Sequence, residues 1–165
     1  MKRAIVLALS VILALTMAAP TVLARSVNGV KPVDVSGRVP PQFFPGTCEF
    51  PLQLDLSGKA KLIHVPEFSA LGSISTSPGL DVTITNRDTP ENQATFNITG
   101  VFHQTTNPEN GQVTTVVTGR NLLSDPVAGT VIAIGNFSFV LNSDGTVARP
   151  LEGEGQLIDV CALLE

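Results

Sequence analysis

The chain has 165 residues, with 10 basic against 14 acidic side chains and a formal charge of −4. That sign disfavours nucleic acid and anionic polymer surfaces, which need clustered Lys and Arg. Trp and Tyr are absent and all eight aromatic residues are Phe, so the rings with a polar handle that suit wet binding surfaces and sugar platforms are missing.

Residues 1–24 have the three-part layout of a secretory signal peptide. Lys2 and Arg3 make a cationic start, an uncharged apolar run extends from Ala4 to Ala19, and Val22-Leu23-Ala24 forms a small-residue exit site. Cleavage is expected after Ala24. The apolar run falls short of the roughly 20 residues that span a bilayer. The sequence therefore predicts a secreted, extracellular chain with no membrane association after cleavage. That mature chain keeps eight basic and fourteen acidic residues, a formal charge of −6. Residues 25–47 carry four prolines and three glycines, which precludes a regular element of any length. They read as a flexible N-terminal arm, with Phe43 and Phe44 placed to strap its end onto the domain.

From Cys48 to the end of the chain, residues 48–165, the hydrophobic period is two. "FPLQLDL" sets Phe50, Leu52, Leu54 and Leu56 on one face, and "LDVTITN" does the same with Leu80, Val82 and Ile84. "ATFNITGVFHQTT" reads as one long strand with Phe96, Ile98 and Phe102 on a shared face, and "GNFSFVLNS" adds Phe137, Phe139 and Leu141. Such alternation marks strands buried on one side. "KAKLIHV", "QVTTVVTG", "GTVIAIG", "GTVARPL" and "GQLIDVC" complete the strand set.

Turns are predicted at Ser57-Gly58, Ser77-Pro78-Gly79, Asn107 to Gly111, Ser124-Asp125-Pro126, Asn142 to Gly145 and Gly153 to Gly155. No helical period appears, although "LLSDPVAG" and "PEFSALG" each have room for one turn. The fold class is all-β: a single eight- to nine-stranded antiparallel barrel, with a β-sandwich as the alternative. An immunoglobulin-type sandwich would bring a core Trp and a corner Tyr. Short turns between strands favour a meander that closes on itself, and Gly100, Gly119 and Gly135 are candidates for its bends.

Little in the chain points to catalysis. His64 and His103 lie in separate strands without metal-ligand spacing. "GSISTSPG" lacks the nucleophile-elbow pattern. Glu152 with Glu154, or Glu49 with Asp55, could pair as glycosidase carboxylates, but no aromatic platform accompanies either. "NSDGT" lacks the further acidic ligands of a calcium loop. No catalytic residue, metal site or cofactor is predicted.

The most promising stretch is "TGRNLL", where Arg120 and Asn121 interrupt apolar strand residues. A guanidinium there must reach solvent or be paired, and it could anchor a polar group in a barrel mouth. Arg120, Asn121, Phe96, Phe102, Phe137 and Phe139 are accordingly the candidate ligand-binding set. Asn97-Ile98-Thr99 and Asn136-Phe137-Ser138 are glycosylation sequons. Only two cysteines exist; in an oxidising compartment Cys48 and Cys161 form one possible intramolecular disulfide. In a closed barrel that bond would join neighbouring first and last strands.

The runs "TITNRDT", "FNITGVFHQTT", "VTTVVTGRNLL", "GNFSFVL" and "GQLIDVCALLE" resemble a set of small secreted actinobacterial β-proteins over residues 48–165. "TGRNLL" and "DVCALL" carry the resemblance most specifically, and it implies secretion and a single β-domain. In pattern the domain is also similar to the allene oxide cyclase and dirigent barrels, which implies architecture only, since fold does not fix function. Three functions remain open: a secreted non-enzymatic barrel holding a small apolar molecule, an extracellular surface-interaction or structural module, and an isomerase- or cyclase-like barrel. The last would use His103, Arg120 or Asn121 to polarise its substrate.

Overall fold

A computed structural model of the chain describes residues 31–41, 48–64 and 72–165. The expected signal peptide, Phe43 and Phe44, and nearly all of "PEFSALG" lie outside the described residues. Alternating sequence does produce an all-β structure, in two antiparallel sheets.

The strands are β1 (Val33–Asp34), β2 (Gly37–Arg38), β3 (Leu52–Ser57), β4 (Lys59–His64), β5 (Gly72–Thr76) and β6 (Asp81–Asn86). They continue with β7 (Gln93–Asn97), β8 (Val101–Thr106), β9 (Val113–Asp125), β10 (Gly129–Leu141) and β11 (Val147–Asp159). One sheet has seven strands in the order β1-β4-β5-β8-β9-β10-β11, and the other four in the order β2-β3-β6-β7.

Two of these strands arise from the N-terminal arm. Neither exceeds two residues, as its prolines and glycines require, but β1 pairs with β4 and β2 with β3. Val35 donates to the Gly58 carbonyl and Val39 to that of Leu54. Val39 is buried in the core, so residues 33–39 are pinned to both sheets.

The stretch 94–106 is not one strand. It splits into β7 in the four-stranded sheet and β8 in the seven-stranded one. The crossing point is Gly100, which is buried against the Asn121 side chain; any Cβ there would overlap the Asn121 amide. Phe96 and Phe102 therefore end in different clusters.

Gly153 to Gly155, expected as a turn, instead lies inside the 13-residue β11. Gly119 pairs with Gly135, and Gly135 with Gly155, in one row across β9, β10 and β11. A Cβ on Gly135 would overlap the Glu154 carbonyl, and one on Gly155 the Ile134 carbonyl. The long strands are also bent. Phe139 pairs with Thr115, eight residues from Leu123 on β9, a separation of about 27 Å along a straight strand. Yet Leu123 and Phe139 line one recess.

The helical turn falls at neither expected place. "LLSDPVAG" is the end of β9 and its turn, whereas α1 (Val160–Leu164) follows β11. Cys161 thus sits in a helix and not at the end of a strand. Asp159 caps that helix, its carboxylate accepting from the Cys161 and Ala162 backbone N–H groups at 2.8 and 3.1 Å. Val160 and Leu164 reach the core between the sheets. The Asn86 amide donates to the Leu164 carbonyl at 3.0 Å, and the Asn92 amide to the Glu165 carbonyl at 2.9 Å. Among the described residues no helix is long and apolar enough to cross a membrane.

Cys48 and Cys161 are disulfide-bonded, with Cα atoms 5.3 Å apart. The bond joins the bend before β3 to α1, and β3 and β11 belong to different sheets. The helix, not a pairing of first and last strands, supplies the proximity.

Two apolar clusters hold the fold. The first combines Leu54, Val82 and Ile84 of the four-stranded sheet with Ile132 of the larger sheet and Val160 and Leu164 of α1. The second contains Val117, Leu123, Val131, Ala133, Phe137 and Phe139, all from the larger sheet.

Candidate functional site

Successive residues of a strand point to opposite faces, so strand register sorts the larger sheet into two faces. Ile132, Ile134, Leu122 and Ile158 belong to the cluster shared with the four-stranded sheet. Val131, Ala133, Phe137 and Phe139 belong to the second cluster, and therefore mark the far face. Register carries that face across the sheet through Leu62, Ser75, Phe102, Val117 and Phe137, and through Ser73, Gln104, Thr115 and Phe139.

Charge is segregated between the two faces. Asp34, Lys59, Lys61, His103, Arg120, Arg149, Glu152 and Glu154 all fall in register with the first face. On the far face the described charged side chains are Asp125 and Asp159; His64 is in register there, but its side chain lies outside the described residues. Both aspartates are engaged in local caps. Asp125 accepts from the Val127 and Ala128 N–H groups at 2.8 and 2.7 Å, and Asp159 caps α1. The far face also carries Val33, Leu62 and Leu157, exposed by 62, 42 and 42%.

Side chains of β8 to β11 form an open recess on the far face. Phe102, Leu123, Phe139, Leu141 and Leu151 supply its apolar wall, and Ser124, Asp125 and Pro126 its rim. It is small, with room for about one water molecule. The recess is a shallow trough, not the cavity of a few hundred Å³ that a buried ligand fills.

The sequence-derived set divides at this point. Phe102 and Phe139 line the recess, and Phe137 lies in the same cluster. Phe96 packs between the sheets instead. Arg120 is exposed and falls on the first face, opposite Ile134. Asn121 is 2% exposed, lies under Gly100 and donates its amide N–H to the Thr118 carbonyl at 3.0 Å; its surroundings are those of a packing residue.

Sequence reasoning missed Leu123, Leu141 and Leu151. Their membership depends on register across four strands and on the bending of the long ones. No local pattern announces either.

Next to the recess, Gln104 Nε2 donates to Thr115 Oγ1 at 3.2 Å. Thr115 is fully buried and pairs in register with both Gln104 and Phe139. The perturbed carboxylates lie elsewhere. Asp55 is held below the usual carboxylate range, first by the Gln53 amide and then by Arg38. The Ser36 backbone N–H lowers Asp34, and the Thr146 hydroxyl lowers Asp144. All three are solvated and serve turns or strand edges. Among the described residues no group of His, Cys, Asp and Glu could hold a metal ion.

No protein-family model, curated protein or solved structure matches the chain.

Proposed function

We propose that this chain is an exported, non-enzymatic β-domain that holds a slender apolar molecule along the far face of its seven-stranded sheet. The observation that carries the reading is the grouping of Phe102, Phe139, Leu123, Leu141 and Leu151 around one open recess on a face nearly without charge. Export rests on the signal-like residues 1–24 and on the disulfide, which persists in oxidising compartments. The bent seven-stranded sheet fits an open half-barrel, with the second sheet packed on its first face. His103 and Arg120 lie on the opposite face from the recess, and Asn121 is committed to packing, so none of the three residues an isomerase-like role would use meets the recess.

Titration with the neutral hydrophobic dye N-phenylnaphthylamine tests the reading. The chain has no Trp or Tyr, so it contributes almost no background emission. Saturable enhancement is expected, and Phe139→Ser should lower the affinity about tenfold or more through lost apolar contact. Absence of saturable binding would overturn the ligand reading.

The shallowness of the recess favours a second reading, in which the same face meets a macromolecular surface. Exposed Val33, Leu62 and Leu157 fit it. Native mass spectrometry of the secreted protein separates the two: a co-purifying small molecule supports the first, and clean protein that also fails to bind the dye supports the second.

A further inference from the structure

The charge pattern of the far face narrows the class of ligand, and this step rests on the ligand reading above. The geometry points to an uncharged amphiphile: an unbranched apolar chain lying against Phe102, Phe139, Leu141 and Leu151, with a neutral hydroxyl or amide head at Gln104.

Three observations carry the assignment. First, charged side chains of the seven strands collect on the opposite face, and the two described aspartates of the far face are already engaged by backbone N–H groups. A carboxylate or ammonium entering here would lose hydration with no counter-charge among the described side chains, and an unpaired buried charge is expensive.

Second, a neutral polar strip adjoins the apolar wall. Ser73, Gln104 and Thr115 run across β5, β8 and β9 and end beside Phe139, while Ser75 lies opposite Phe102. Within it Gln104 is half-buried. One amide N–H is used on Thr115 Oγ1, which fixes the side chain and leaves a carbonyl oxygen and a second N–H by the inventory of a carboxamide. A neutral donor–acceptor head matches both. Thr115 is fully buried, so it positions Gln104 and does not itself meet a ligand.

Third, the recess is small and open, so a ligand lies along it with one side in solvent, as an unbranched chain can.

Decanol, decanoate and decylammonium share one apolar chain and differ in head charge. Their binding to the full secreted protein is measured at neutral pH by displacement of N-phenylnaphthylamine. Decanol is expected to bind about tenfold or more tightly than either ion, since even a partly desolvated unpaired charge costs at least that factor. Gln104→Leu should weaken decanol about two- to tenfold relative to the dye measured on the same variant, the value of one neutral hydrogen bond. Gln104→Lys should reverse the order in favour of decanoate.

Decanoate binding as tightly as decanol to the unaltered protein would overturn the neutral-head assignment and leave the ligand reading standing. A Gln104→Lys variant that melts normally yet keeps the original order would place the head elsewhere, and the assignment fails. If the dye and all three compounds fail to bind, the ligand reading itself falls.

Discussion

At the scale of single residues, Gly100 and Asn121 control how the chain passes from one sheet to the other. A Cβ on Gly100 would occupy the space of the Asn121 amide, and Asn121 is itself held by the Thr118 carbonyl. Gly100→Ala is expected to destabilise by about 1–3 kcal/mol through overpacking, read as a lower midpoint in denaturant. Asn121→Ala alone should also destabilise, but the double variant should lose less than the sum of the two, because the smaller side chain vacates the contested space. Additive losses would refute the packing account. A second residue behaves in the opposite sense. Thr89 Oγ1 is buried without a hydrogen-bond partner among the described residues, so Thr89→Val removes an unmet polar atom. Its stability should stay level or rise by up to about 1 kcal/mol. The face assignment of Phe96 and Phe102 was beyond local reading for the same reason that Gly100 matters: period-two alternation holds only while a strand remains in one sheet.

Among the elements, α1 is the one whose existence depends most on its surroundings. Five residues cannot form a stable isolated helix, because nucleation costs more than so few bonds return. It persists through the Asp159 cap, the buried Val160 and Leu164, the Asn86 and Asn92 amides on its last carbonyls, and the disulfide at Cys161. Asp159→Ala should cost about 0.5–2 kcal/mol, the usual value of a lost cap, with Asp159→Asn recovering most of it. An unchanged melting midpoint for Asp159→Ala would show the cap to be redundant. The sequence "DVCALLE" carried the cap residue in plain sight, yet the preceding apolar alternation masked it. In the long strands the reverse error arose. Gly153 and Gly155 look like turn residues, but they are required because the neighbouring strand leaves no room for a Cβ. Only register reveals that demand.

For the whole molecule the Cys48–Cys161 bond ties the bend before β3 to the helix after β11 across a separation of 113 residues. Closing so long a loop in the unfolded chain is worth about 4–5 kcal/mol in the chain-entropy account. Reduced protein should melt about 10–20 °C lower than oxidised protein at equal pH, and an unchanged midpoint would show that the staple does not act on the unfolded state. The acid response is predicted to be gentle. Asp34, Asp55 and Asp144 are lowered in the folded state, so each adds stability above its unfolded value near 4 and loses it as pH falls through the lowered folded value. Thermal midpoints should stay flat from neutral pH to about 4.5 and decline below about 4. Asp34 and Asp144 are exposed and Asp55 is partly so, so the decline should be shallow and should weaken further with added salt. A steep loss near pH 6 would point to a different titrating group.

The sequence by itself determined the all-β class, the turns built on Asn, Asp, Gly and Pro apart from the one expected at Gly153 to Gly155, and the disulfide partners. Each follows from local chemistry or from the pairing of only two thiols. Tertiary structure alone decided which strands share a sheet, where the long strands bend, and which Phe residues meet. These depend on register between distant segments, and period-two alternation cannot fix register, since any even shift preserves the pattern. The recess exists because side chains of four strands converge on one face, and that convergence belongs to the fold.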